Sequence, residues 1–190
     1  MKKFFFFAFL ISSVLAFSQE LKKPAEGKAI VYFIRSNSMG FLINFKYFDG
    51  EKYLGKFNYG KFLAYECEPG KHLFWSKSEN VDFVEANLDA GKIYIIDSEP
   101  QMGAFKAGVK LVPFVDDVLQ FKNEKKYLKT KERILKSITE KKEYTINDED
   151  LEEAKQDLEG VVRKNIEKYN NRKANDSGFT QLTVEMNYKN

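Results

Sequence analysis

The chain has 190 residues, with 31 Lys and Arg against 28 Asp and Glu, one His, one Cys and 15% aromatic side chains. A formal charge of +3 on that length excludes the broad basic surface that non-specific nucleic-acid binding needs, so no nucleic-acid partner is expected. The single cysteine excludes an internal disulfide, so the core alone must hold the fold. One His and one Cys leave zinc without its usual ligand set, and no cofactor is expected.

The first residues, MKKFFFFAFLISSVLAFSQE, pair a positive start at Lys2 and Lys3 with an apolar run from Phe4 to Leu15 and a small-residue ending at Ala16-Phe17-Ser18. That is the layout of a secretory signal peptide over 1–18, cut before Gln19. The run falls short of the roughly 20 apolar residues of a spanning helix, and no cysteine near the cut offers a lipid anchor. The mature chain is therefore expected to be exported and soluble, in the periplasm or outside the cell. Losing Lys2 and Lys3 takes the basic residues from 31 to 29 against 28 acidic ones, leaving +1. Residues 19–27 read as an N-terminal linker.

From 28 to 114 the pattern is that of strands. KAIVYFIR (28–35) is almost continuously apolar, as in a strand covered on both faces. FLINFKYF (41–48) alternates, with Phe41, Ile43, Phe45 and Tyr47 on one face. Asp49-Gly50 is a two-residue hairpin signal, because this pair tolerates the positive φ of a type I′ turn. EKYLGKFNY (51–59), KFLAYECE (61–68), KHLFWS after Pro69-Gly70 (71–76), VDFVEANL (81–88), KIYIIDSE (92–99) and KAGVKLVPF (106–114) follow. About eight short strands with regular turn signals predict an antiparallel β-sandwich or small barrel.

After Phe114 the period changes to that of helices. Residues 123–138 place Leu128, Leu135 and Ile138 on one stripe, with Tyr127 and Ile134 beside it. Residues 148–173 repeat the pattern with Leu151, Ala154, Leu158, Val161, Val162 and Tyr169, behind an N-cap at Asn147 or Asp148. The final 179–188 reads as a strand or an ordered tail. Residues 115–190 thus form a helical extension. Its helices carry opposite charge: 122–142 hold nine Lys/Arg against three Asp/Glu, and 148–159 hold seven acidic residues against one Lys. Two solvated faces screening each other in an antiparallel helix pair are the first expectation. A basic helix for an anionic surface is the second.

No reaction motif is present. The acids of 147–153 lack the spacing of a calcium loop and suit helix capping instead. No glycine-flanked serine elbow accompanies His72, and Cys67, in an apolar strand, reads as a small core residue. If 71–76 is a strand, Leu73 and Trp75 face one way, and His72 and Phe74 face the other. His72 and Trp75, the only His and Trp, are then not one site.

The stretch from 47 to 96, with YFDGEKYLGKF, then GKFLAYECEPGKHLFW, then LDAGKIYII, resembles bacterial envelope proteins catalogued as domain of unknown function 2846. KAIVYFIRS matches the first strand of that family. The layout is also distantly similar to PEGA-type β-sandwiches. The resemblance covers about 28–114 and implies the sandwich fold and an envelope setting. It brings no reaction and no catalytic residues, and this chain departs from many members in having no lipidation cysteine.

The expected architecture is an antiparallel β-sandwich over 28–114 with a C-terminal helical extension of two helices. The leading functional expectation is a non-enzymatic envelope module that binds a protein or a polysaccharide. Its candidate surface is Tyr53, Phe57, Tyr59, Phe62 and Tyr65, with His72, where exposed aromatics would stack on sugar or pack on a partner. The alternatives are a hydrolase with an unrecognised carboxylate pair and peripheral contact with anionic membrane through 122–142.

Overall fold

The computed structural model describes residues 21–102, 107–175 and 178–189, so the expected signal peptide lies outside the described residues. The elements run β1 (Ala29–Ile34), β2 (Phe45–Asp49), β3 (Lys52–Phe57), β4 (Lys61–Cys67), β5 (Gly70–Lys77), β6 (Val81–Leu88), β7 (Ile93–Met102), β8 (Ala107–Pro113), α1 (Glu124–Thr139), β9 (Lys142–Glu143), α2 (Asp148–Ala174) and β10 (Thr180–Leu182). They form two open five-stranded sheets, ordered β8-β7-β1-β4-β9 and β10-β6-β5-β2-β3. This is the expected β-sandwich. Most pairs are antiparallel, while β1–β7, β4–β9 and β6–β10 are parallel.

The all-apolar β1 is buried at every residue because both of its faces are covered. Val31 and Phe33 enter the layer between the sheets, where Phe45, Tyr47, Phe57, Phe74 and Tyr94 also pack. Ile30, Tyr32 and Ile34 face outward, beneath Ile134 and Ile138 of α1. On the outer face of the other sheet, Phe48, Trp75 and Phe83 lie beneath Leu158 of α2. The molecule is thus four layers deep: α1, sheet, sheet, α2. Each fully buried Phe or Leu in these layers contributes about 1.5–3 kcal/mol.

The two helices therefore pack on opposite outer faces, and the expected antiparallel helix pair does not form. Each helix has an apolar sheet face to cover, and covering it buries more apolar surface than two largely polar helices would bury in each other. In α1 the Asn123 side chain caps the first turn by accepting from the Lys126 N–H at 2.9 Å. Its buried stripe passes through Tyr127, Ile134 and Ile138. Leu128, expected on that stripe, sits one position round the helix and is 54% exposed. In α2, Leu158, Val161, Val162 and Tyr169 pack as expected, while the Ala154 side chain lies outside the described residues.

The extension is built into the sandwich. β9 and β10 add an edge strand to each sheet. Beyond β10 the chain crosses to the first sheet, where the Tyr188 N–H donates to the Ile93 carbonyl at 2.7 Å. The buried Asp116 carboxylate accepts from the Tyr127 hydroxyl, Lys131 Nζ and the Lys189 N–H at 2.6–2.9 Å, tying α1 and the tail together. The segment expected as a linker is also packed: Leu21 is buried and the Lys22 N–H donates to the Tyr32 hydroxyl at 2.9 Å.

The first hairpin differs from expectation at its start and at its loop. β2 begins at Phe45 instead of Phe41. The buried Arg35 guanidinium lies 4.1 Å from the centre of the Phe45 ring and donates to the carbonyls of Met39, Gly40 and Ile43. Those bonds fold 39–43 into a turn and leave Phe41 58% exposed. The hairpin loop is Gly50-Glu51, since Asp49 pairs with Lys52. Gly50 takes φ +55, as a two-residue hairpin loop requires.

Candidate functional site

The six residues expected to share one surface are spread over the molecule. Phe57 and Phe62 are buried: Phe57 stacks on Tyr47 with ring centres 4.3 Å apart, and Phe62 packs near Tyr32 under α1. Phe57 points into the layer between the sheets and Phe62 points outward beneath α1, so neither can meet a ligand. Tyr53, Tyr59, Tyr65 and His72 are half-buried, in three separate settings.

Tyr65 and His72 meet at Asp49. One Asp49 oxygen accepts from His72 Nδ1 at 2.7 Å and from the Tyr65 hydroxyl at 3.1 Å. His72 Nε2 lies 2.8 Å from the Glu68 carbonyl, and the imidazole stacks on Phe74. A carbonyl and a carboxylate both only accept, so the doubly protonated imidazolium satisfies both contacts. The hydrogen bond to Asp49 accordingly holds the imidazole above its ordinary range, against the opposing effect of burial. Burial, with the Asp49 charge beside it, pushes the Tyr65 phenol up. Cys67 is buried and free, and the same two causes push its thiol up to about 12. A thiol held protonated at neutral pH is a poor nucleophile. β4 and β5 also lie in different sheets, so the Pro69-Gly70 turn carries the chain across the sandwich and not between neighbouring strands. This cluster anchors the β2–β3 hairpin to β4 and β5.

Trp75 is on the opposite face from His72, as the strand alternation requires. It stacks on Phe48 with ring centres 3.8 Å apart, and its indole N–H donates to the Gly50 carbonyl at 2.7 Å.

Tyr53 stands in a groove of about 1070 Å³ between β3 and α2. Tyr53 leans on Phe48 and forms the floor with Leu151, Leu158, Val162 and Ile166. The rim carries charges of both signs, Lys52 and Arg163 among Glu51, Glu159 and Glu167. One wall is β3, which pairs on one side only, with β2, as the edge of its sheet. An edge strand presents unpaired backbone donors and acceptors to an incoming chain. The edge is partly covered farther along, where the Tyr144 ring lies against Gly55. A β-carbon at Gly55 would stand 2.1 Å from that ring, and its φ is +142, so only glycine lets the connection to α2 pass there. Tyr53 is the one predicted site residue in this groove. Ile166 and the α2 wall were not legible as a site, because their spacing reads equally as a core-facing stripe.

Tyr59 lies at the other face of the molecule, with its ring 3.5 Å from Lys141 Nζ. Lys141 also donates to the Arg35 carbonyl. Close by, the buried Asp97 carboxylate accepts from the N–H and the hydroxyl of Ser36. Burial raises the Asp97 carboxyl above the usual carboxylate range.

Among the described residues, no three His, Cys, Asp or Glu side chains gather where a metal ion could be held. No described helix is long and apolar enough to cross a membrane. No family model, curated protein or solved structure matches the chain.

Proposed function

We propose that this chain is an exported, non-catalytic binding module of the cell envelope, and that its ligand is an extended polypeptide segment seated between β3 and α2. The observation that carries the reading is the groove itself: an apolar floor, a rim of mixed charge and a sheet edge along one wall. A segment added beside β3 would gain main-chain hydrogen bonds, with alternate side chains reaching the floor. A polysaccharide reading needs aromatics arranged as a stacking platform. Dispersal of Tyr53, Tyr59 and Tyr65 into three settings weighs against it, and so favours protein. Export rests on the signal-peptide pattern of 1–18, and the envelope setting on the resemblance to domain of unknown function 2846.

The test is selection of a random peptide library on the mature chain, followed by NMR mapping of the selected peptides. Shifts confined to Lys52, Tyr53, Val162 and Ile166, abolished by Ile166→Glu in a variant with unchanged circular dichroism, are the expected outcome. Selected peptides that shift other residues only would sink the groove as the binding site.

A further inference from the structure

We infer that the cavity between α1 and the Lys141 corner is a second binding site, for an anion of the phosphate class. The cavity measures about 510 Å³ and is walled by Lys126, Lys129, Arg133, Lys136 and Lys141, with the Ser36 and Tyr59 side chains at its β-sheet side. Five cations thus face two carboxylates, Glu132 and Glu140. Glu132 and Lys136 pair with each other at 2.8 Å, which leaves four cations facing Glu140.

Exposed lysines along a helix would by themselves be a solvated face. Lys141 makes this a built site. It is half-buried, held by the Arg35 carbonyl and the Tyr59 ring. Those partners leave one of its three ammonium donors unaccounted for. A second cation, Arg35, is fully buried behind it. The buried carboxylate at this corner, Asp97, accepts from Ser36 through both oxygens and makes no direct contact with Lys141. Burial pushes the Lys141 ammonium down to about 8, opposed first by the Asp97 charge and less by Glu140, while the Arg35 charge adds to it. A desolvated ammonium at the end of a row of cations favours a multiply charged anion. The phosphate group could come from a lipid headgroup or from a soluble phosphate polymer. Both present the same charge and acceptor oxygens.

The test titrates the full mature chain with sodium tripolyphosphate, and separately with phosphatidylglycerol vesicles against phosphatidylcholine vesicles, over a salt series. The expected result is saturable binding to at least one anionic probe, weakening with salt and weakened about tenfold or more by Lys141→Gln, since a charged hydrogen bond is lost. Lys125→Gln, on α1 but outside the cavity wall, should leave affinity within about twofold, as for a screened surface charge. Tripolyphosphate binding without vesicle binding assigns a soluble phosphate. The reverse assigns a headgroup. Should Lys141→Gln fail to fold, Arg133→Gln with Lys129→Gln serves in its place. Binding to neither probe at low salt, or undiminished binding by the cavity variants, would overturn the inference. The site lies on the opposite face from the peptide groove, so its failure leaves that proposal standing.

Discussion

At the scale of single residues, His72 shows how a lone titratable group becomes structural. Its two ring nitrogens face two acceptors, Asp49 and the Glu68 carbonyl, so protonation strengthens the fold. The sign follows from linkage. The folded imidazole holds its proton above the ordinary 6.5, so its contribution is full below that value and is lost as pH rises through the folded pKa. We expect the His72 ring resonances to titrate above 6.5, and Asp49→Asn to bring the midpoint down, because burial then acts with no carboxylate to oppose it. NMR titration of the only histidine reads this directly, and a parent midpoint at or below 6.5 would contradict it. The alternation of 71–76 was enough to separate His72 from Trp75, because strand geometry is local. Asp49 as the partner of His72 was not legible. It lies 23 residues away, and the fold alone brings a turn residue of β2 beside β5.

At the scale of elements, turn chemistry made the strands readable. Asp49-Gly50, Pro69-Gly70 and Asp89-Ala90-Gly91 each mark a junction between consecutive observed strands, although Asp49 itself ends β2 and Gly70 itself begins β5. Which sheet a strand joins was not readable, because inward-facing positions look alike in either sheet, and β9 and β10 are too short to show a period. The helix stripes were readable as apolar, but what they cover was not. The observed arrangement makes a prediction that a helix pair would not. Ile134 packs on the first sheet and Leu158 on the second, with no shared neighbours in their core layers. Ile134→Ala and Leu158→Ala should each cost about 2–5 kcal/mol, and the double variant should cost their sum to within about 0.5 kcal/mol. Urea unfolding of the three variants measures this. A coupling well beyond that margin would mean that the helices touch.

Across the whole molecule, the same layering separates charge. Residues 19–190 are together close to neutral, yet α1 and its flanks carry an excess of six basic residues over 122–142, and the first part of α2 carries an excess of six acidic ones over 148–159. Had the helices paired, these charges would largely cancel at short range. α1 and the described side chains of α2 instead cover opposite outer faces of two sheets that pack about 10 Å apart, so the helix layers outside them are separated by more than the roughly 8–10 Å over which salt screens exposed charges. Each face then acts on its own surroundings, and net charge is a poor guide to behaviour. A chain of residues 19–190 should therefore be retained on a sulfonate matrix at pH 7.5 and low salt despite a formal charge near +1. Lys125→Gln with Lys129→Gln and Lys136→Gln, all on α1, should elute it at distinctly lower salt. Neutralising three lysines off that face (Lys71, Lys164 and Lys168) changes net charge equally and should move elution far less. Equal shifts from both triple variants would show that net charge governs retention, and with it that the basic face does not act alone.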